Sequence, residues 1–226
     1  MNELALFAGA GGGILGGKLL GWRTVCAVEW EQYPASVLCA RQNDGLLPPF
    51  PIWDDIQTFD GRPWAGIVDI VSGGFPCQAY SAAAHGRNTA DDLWPEMRRI
   101  VADVAPRYVF AENVSRVAID QAANDLEQMG YAVKCIEVSA QDVGADHIRP
   151  RCWLLAHAND YGELYGSINA EVAELSGLGS GVWDCYPGKL GVADGVAFGM
   201  DRLKAIGNGQ VPLCAATAWR ILSESL

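Results

Sequence analysis

Short apolar runs alternate along the chain with stretches whose apolar residues recur at helical spacing. Runs typical of buried strands occupy residues 4–8, 24–28, 67–71, 108–111, 133–138 and 152–156. Helical spacing follows a glycine-rich turn and recurs over residues 34–41, 93–104, 119–129 and 211–222. Strands that alternate with helices predict a mostly parallel α/β sheet with helices on both faces. A ligand site is then expected at the carboxyl ends of the strands.

Residues 158–194 interrupt this alternation. They are rich in Gly, Ser and Asn and show weak periodicity, which predicts a short loop-rich insert. The insert separates a core of residues 1–157 from a C-terminal segment, residues 195–226, that returns to the core. We therefore expect one folded domain with a small insert.

Composition narrows the class of protein. Half of the 226 residues are hydrophobic and 19% are charged, which is typical of a globular chain. No apolar stretch is long enough to cross a bilayer, and Glu3 stands where a secretory signal would carry positive charge. The seven cysteines form no CxxC pair and no zinc-like cluster. A cytoplasmic protein with reduced thiols, no membrane association and no metal site is expected.

A glycine cluster follows the first predicted strand. Gly9, Gly11 and their neighbours let a backbone approach a ligand closely, and Glu29 lies twenty residues after Gly9 at the end of the second predicted strand. Nicotinamide, flavin and S-adenosylmethionine sites share this layout, and Trp30 adds a flat apolar surface for an adenine ring. A glycine-rich turn required only for packing is the alternative interpretation.

A thiol, a carboxyl group and two guanidinium groups follow later strands. Cys77 lies after Pro76 in a stiff turn, Glu112 follows the next strand, and Arg149 and Arg151 precede another. Each has an ordinary structural interpretation: a buried cysteine, a helix cap and surface charges. Together they predict a cationic pocket that favours a thiolate and holds a polar ring.

These motifs, in this order, resemble those of the DNA cytosine-5 methyltransferase family. The matching segments are residues 7–12 (FAGAGG), 74–78 (GFPCQ), 112–114 (ENV), 149–151 (RPR) and 207–212 (GNGQVP). Residues 191–195, ahead of residues 201–204, add a likeness to short phage- and prophage-type members. The resemblance implies a Rossmann-like class I S-adenosylmethionine-dependent methyltransferase sheet with a reduced target-recognition insert.

The resemblance also implies a covalent mechanism on double-stranded DNA with a flipped cytosine. Cys77 would add to ring carbon 6, so that carbon 5 becomes enamine-like and accepts the methyl group. Glu112 would hydrogen-bond ring nitrogen 3 and the exocyclic amine. Arg151 would contact the carbonyl oxygen of the base, with Arg149 organising the pocket.

Further residues take roles by the same resemblance. S-adenosylmethionine, and the product S-adenosylhomocysteine, would be bound by Phe7, Gly9, Ala10, Gly11, Gly12, Glu29, Trp30, Asp55, Ile56, Pro76, Leu93, Asn208, Gly209 and Gln210. Substrate contacts are implied for Gln78, Ser81, Asn113 and Val114.

Some features depart from the family pattern. Only residues 152–206 are available for target recognition, and His147 replaces a glutamine often found two positions before Arg149. The formal net charge of −11 opposes broad binding to a polyanion. We therefore expect weak, salt-sensitive DNA binding, with an oligomer or an accessory chain to offset the charge. Arginines such as Arg98, Arg99 and Arg116 would supply local positive charge if they faced the cleft.

Three other functions stay open on the sequence alone. An RNA (tRNA) cytosine-5 methyltransferase would use the same core. A catalytically weak nucleic-acid-binding homologue would keep the cleft without the chemistry. A nicotinamide-dependent oxidoreductase would use the glycine loop, but it leaves Cys77, Glu112 and Arg151 unexplained.

Overall fold

The structure, a computed structural model, describes residues 1–76, 92–158, 204–205 and 207–224. The strands are β1 (Asn2–Leu6), β2 (Arg23–Val28), β3 (Ile52–Trp53), β4 (Ile70–Gly74), β5 (Tyr108–Asn113), β6 (Tyr131–Ser139) and β7 (Pro150–Ala158). The α-helices are α1 (Gly12–Leu19), α2 (Gln32–Asn43), α3 (Trp94–Val104), α4 (Arg116–Gln128) and α5 (Pro212–Ser223). Two short 3-10 helices cover Arg62–Trp64 and Ala140–Val143.

The strands form one mixed sheet in the order β3-β2-β1-β4-β5-β7-β6. Strands β1 to β5 pair in parallel, whereas β7 is antiparallel to both β5 and β6. The order reverses direction between β1 and β4, and such a switch point opens a crevice at the carboxyl ends of the strands. The crevice therefore lies beside the ends of β1 and β4.

Apolar side chains of alternate strand positions reach opposite faces of the sheet. In β5, Val109 and Ala111 join the core cluster that contains α3 and α4 residues. Tyr108 and Phe110 join the cluster that contains Trp219 of α5. Both faces are thus covered by helices, which confirms the expected architecture.

Three details differ from the sequence expectations. The sequence did not predict strand β3, because two residues are too few to show a hydrophobic periodicity. Strand β4 begins at Ile70 rather than at Ile67, whose side chain is half exposed. The antiparallel direction of β7 follows from its connection to β6, which within residues 140–149 contains only a 3-10 helix rather than a crossover helix.

Residues 158–194, expected to form the insert, lie almost wholly outside the described residues, so the predicted division into core, insert and C-terminal segment stays a prediction.

Candidate active site

The glycine loop after β1 is held open by its backbone conformation. Gly9 and Gly11 have φ of 54° and 91°, values that L side chains rarely adopt, and Phe7 also has a positive φ of 52°. A Cβ atom built at Gly9 would have no described atom within 4 Å. The loop thus leaves room for a ligand beside the start of α1.

Glu29 lies directly after β2 and closes this loop from the other side. Its Oε2 accepts the Gly9 N–H at 2.6 Å, and its Oε1 accepts the Glu31 N–H at 2.7 Å. Burial raises the pKa of Glu29, while the two amide hydrogen bonds oppose the rise. Each carboxylate oxygen keeps a free lone pair, so Glu29 can still accept hydrogen bonds from a ligand diol.

The other residues expected around an adenine ring lie in different environments. Trp30 is 73% exposed beside Glu29 and offers an open ring face. The Asp55 carboxylate accepts the Gln57 N–H, which stabilises the turn after β3. The Ile56 side chain is buried in the core, where Leu93 packs against the same cluster.

The end of β4 is tied to the end of β5 by Asn113. Its amide donates to the Phe75 carbonyl at 2.8 Å, and its Oδ1 accepts the Ser115 N–H at 2.8 Å. This side chain is buried, so it fixes the backbone just before Pro76. Cys77, Gln78 and Ser81 lie outside the described residues.

Glu112 is a buried carboxyl group at the end of β5, with one oxygen in an ion pair and the other accepting a hydrogen bond. Arg151 Nε lies 3.1 Å from Oε1, and Gln210 Nε2 donates to Oε2 at 3.3 Å. The side chain of Glu112 is only 10% exposed. Burial raises its pKa, and this rise is opposed first by Arg151 and then by the Gln210 hydrogen bond and Arg149.

Arg149 binds the C-terminal segment rather than an acid. Its Nη2 donates to the Gly207 carbonyl at 2.6 Å and to the Gly209 carbonyl at 2.9 Å. Burial, together with repulsion from Arg151, lowers the pKa of Arg149. Arg149 therefore holds the segment that carries Gln210 against the sheet.

Gln210 also packs on the glycine loop. A Cβ built at Gly12 would lie 2.0 Å from the Gln210 carbonyl oxygen, and one at Gly13 would lie 2.2 Å from Gln210 Oε1. A Cβ at Gly74 would lie 2.8 Å from Glu112 Oε2 and 2.9 Å from Gln210 Nε2. The absence of side chains at these three glycines is what permits the contacts.

The structure therefore brings together Glu112, Arg151 and Gln210, and separately Gly9 and Glu29. Val114 and Asn208, by contrast, are exposed. The contact of Gln210 with Glu112 was not foreseen, because 98 residues separate the two and no local pattern signals such a pairing.

Four described cysteines are poor nucleophiles. Burial raises the pKa of Cys26, Cys135 and Cys214 to about 11 and also raises the pKa of Cys152. A thiol that stays protonated at neutral pH reacts slowly. These four thiols therefore suit packing better than covalent catalysis.

The helix arginines expected to supply positive charge are paired with acids. Arg98 contacts Asp125 at 3.5 Å, and Arg99 and Arg116 bind acids on their own helices at 2.8 and 2.7 Å. Pairing offsets the positive charge that these residues would offer to DNA.

Neither a metal-binding cluster nor a membrane-spanning helix occurs in the described part of the chain. No cluster of three or more His, Cys, Asp or Glu side chains that could hold a metal ion was found there. Within the same residues, no helix combines the length and hydrophobicity needed to cross a bilayer.

The sheet order, the antiparallel β7 and the acid beneath a glycine loop define the Rossmann-like methyltransferase fold. Solved structures agree with this class. A crystal structure assigned as a DNA modification methyltransferase encoded within an E. coli prophage has a TM-score of 0.56 and 25% identity, covering 71% of this chain and 47% of that chain. The S. pombe Dnmt2 methyltransferase has a TM-score of 0.57 and 20% identity, covering 73% and 53%.

The sequence profile of the C-5 cytosine-specific DNA methylases matches residues 1–186, and the chain belongs to that family. Type II methyltransferase M.NgoMIV of Neisseria gonorrhoeae is 29% identical over 73% of this chain and 54% of its own length. Type II methyltransferase M1.HphI of Haemophilus parahaemolyticus is 32% identical over 73% and 47%. The chain thus spans about half the length of these relatives.

Proposed function

We propose that this protein is an S-adenosylmethionine-dependent DNA cytosine-5 methyltransferase. The observation that carries the proposal is the buried Glu112 carboxyl group, which meets Arg151 at the carboxyl edge of the sheet. A buried acid with an adjacent guanidinium group is suited to the polar edge of a pyrimidine. Family membership supports cytosine as that pyrimidine.

The described residues fit the proposed cofactor. Glu29 retains acceptors for the ribose hydroxyls, Trp30 offers an exposed ring for the adenine, and the Gly9 loop leaves space for the methionine portion. Family membership favours S-adenosylmethionine over a dinucleotide at this loop. When bound, S-adenosylmethionine supplies the methyl group that is transferred.

Side chains of the protein would carry out the other steps of the reaction. The Cys77 thiolate adds to carbon 6 of the flipped cytosine, and the electron pair of the ring double bond becomes available at carbon 5. Glu112 hydrogen-bonds ring nitrogen 3 and the exocyclic amine, and Arg151 binds the carbonyl oxygen. After methylation, loss of the carbon 5 proton to a base restores the double bond and expels Cys77 as a thiolate.

DNA binding is proposed to depend on contacts in the pocket more than on the overall charge of the protein surface. The net charge is −11, and several arginines are paired with acids. An accessory chain would add the positive charge that this chain lacks, whereas an oligomer would add further DNA contacts without changing the sign of the net charge.

The test uses duplex DNA containing 5-fluorocytosine, together with S-adenosylmethionine. Fluorine replaces the carbon 5 proton whose loss expels Cys77, so elimination is blocked. The covalent complex therefore accumulates and is visible as a shifted band on a denaturing gel. We expect the complex with wild-type protein, none with Cys77→Ser, and wild-type yield with Cys39→Ser as the matched cysteine control. Cys39 is exposed on α2 and has no assigned part in the proposed machinery.

Separate measurements distinguish the substrates and the cofactor site. Radiolabelled methyl transfer to duplex DNA and to tRNA decides between the two nucleic acids, and bisulfite sequencing of plasmid from expressing cells locates the product. Glu29→Ala is expected to weaken cofactor binding about tenfold or more, whereas Cys77→Ser changes it by less than about threefold. Transfer to tRNA alone, or unchanged turnover in Cys77→Ser, would contradict the proposal.

A further inference from the structure

Gln210 is placed so that one side chain contacts two parts of the proposed site. Its backbone carbonyl lies against Gly12 at the start of α1, and its amide oxygen lies against Gly13. The other end of the same amide donates to Oε2 of Glu112 at 3.3 Å. The glycine loop and the acid are therefore joined through a single residue.

The position of this residue is fixed from several sides. Arg149 Nη2 binds the carbonyl groups of Gly207 and Gly209, immediately before Gln210. Pro212 begins α5 two residues later, and α5 packs against α1 where Ala215 meets Gly16. The amide of Gln210 thus approaches Glu112 from a rigid support.

The contact is relevant to how Glu112 must act. A carboxyl group that reads a pyrimidine edge needs a fixed plane, because both of its oxygens take part in orientation. Arg151 Nε forms an ion pair with Oε1, and the Gln210 amide donates a hydrogen bond to Oε2. With a cation beside one oxygen and an amide donor on the other, the carboxylate has one preferred rotation, and each oxygen keeps a lone pair for the base.

We propose that Gln210 is a positioning residue for catalysis, which fixes the plane of the Glu112 carboxylate while it packs on the glycine loop. This role rests on the proposed function and goes beyond the cofactor contact that the resemblance implies for Gln210. Among the described residues, the charged groups that act on Glu112 are Arg151 and Arg149, and Glu112 in turn acts on Cys152 and Cys214.

The test compares Gln210→Met, which keeps the length and shape of the side chain but removes the donor, with wild type. Gln121→Met, on the exposed face of α4, is the matched control. Carboxyl-selective 13C labelling of glutamate gives the titration of Glu112 directly, with the signal assigned by its loss in Glu112→Gln. Because the Gln210 hydrogen bond lowers the pKa of Glu112, its removal is expected to move that titration to higher pH.

Kinetics give a second measurement. In Gln210→Met we expect kcat to fall about tenfold, which corresponds to about 1.4 kcal/mol, and the Glu112-dependent limb of the pH profile to move in the same direction as the titration. The cofactor dissociation constant should change by less than about threefold. Gln210→Glu, with a similar shape, places a second carboxyl group beside Oε2 and should move the titration further upward.

The results separate this role from the proposed function. An active wild type together with an unmoved Glu112 titration and an unchanged kcat in Gln210→Met would overturn the role of Gln210 alone. Weakened cofactor binding with an unmoved titration would also overturn it, since Gln210 would then act only through the cofactor. Absence of methylation by the wild-type protein would overturn the proposed function and this role together.

Discussion

Substitution of Gly12 by alanine tests the packing that joins the C-terminal segment to the glycine loop. The new Cβ would lie 2.0 Å from the Gln210 carbonyl oxygen and 3.0 Å from its carbon, whereas ordinary contact begins at 3.4 Å. The obstructing atoms belong to the backbone, so no side-chain rotation relieves the overlap. Either α1 or the segment that begins α5 must move.

The magnitude follows from the size of this overlap. Overpacking costs about 1–3 kcal/mol, and a rigid backbone neighbour favours the upper end. Alanine offsets up to about 1 kcal/mol of this by its better helix propensity. A net loss of about 2 kcal/mol is therefore expected, which corresponds to a fall in Tm of about 4–8 °C for a chain of this size.

The assay is urea unfolding of the full chain followed by tryptophan fluorescence, with two glycine variants as references. Gly207→Ala has none of the described atoms within 4 Å of its new Cβ, so its stability should equal or slightly exceed that of wild type. Gly13→Ala meets only the flexible end of the Gln210 side chain, at 2.2 Å. We expect Gly13→Ala to lose less than about 1 kcal/mol but to lose turnover, because the amide is displaced from Glu112.

The ranking of the three variants decides the matter. A Gly12→Ala protein as stable as Gly207→Ala would refute the close approach of the C-terminal segment to the glycine loop. A Gly13→Ala protein with full turnover would contradict the importance of the Gln210 amide. This conclusion would hold whatever the unfolding free energies of the three variants.

Three further outcomes are expected. Burial raises the pKa of Glu3 above its ordinary value of 4.5, so the stability that its protonated form contributes is present below pH 4.5 and is lost as the pH rises through the folded-state pKa. Urea unfolding at a series of pH values above 4.5 should show wild type losing stability relative to Glu3→Gln. Asn113→Ala leaves the Phe75 carbonyl without its donor and should cost about 2 kcal/mol in the same unfolding assay, while Asn113→Asp should cost nearly as much since aspartate cannot donate when ionised. Arg151→Met removes the cation beside Glu112, which raises the pKa of that acid further and should lower kcat about 100-fold in methyl-transfer assays with little change in cofactor binding.

Local patterns were sufficient to predict the succession of strands and helices apart from the two-residue β3. The apolar runs before Gly9, Glu29 and Glu112 each became a strand, and the polar residue after each run lies at its carboxyl end or just beyond it. Glycine spacing likewise predicted the loop that Glu29 closes. These features succeed because their signal lies within a few residues of the chain.

Long-range pairings were not predictable in the same way. Gln210 and Glu112 are 98 residues apart, and the fully buried Glu3 accepts hydroxyl hydrogen bonds from Thr24 at 2.7 Å and Ser72 at 2.6 Å. No spacing rule connects such partners, because the sheet order brings them together. The antiparallel β7 places Arg151 beside Glu112 for the same reason.

The C-terminal segment has a place in the site that its position along the chain does not suggest. The family profile ends at residue 186, yet Gln210 and the carbonyl groups that hold Arg149 all come after that point. Without them, Glu112 would lose the donor to Oε2, and the half-buried Arg149 would lose two acceptors. The described geometry of Glu112 thus depends on β5, on β7 and on the segment just before α5, so a site assembled from residues 1–186 alone would keep its acid and its arginine but lose the amide that binds the acid.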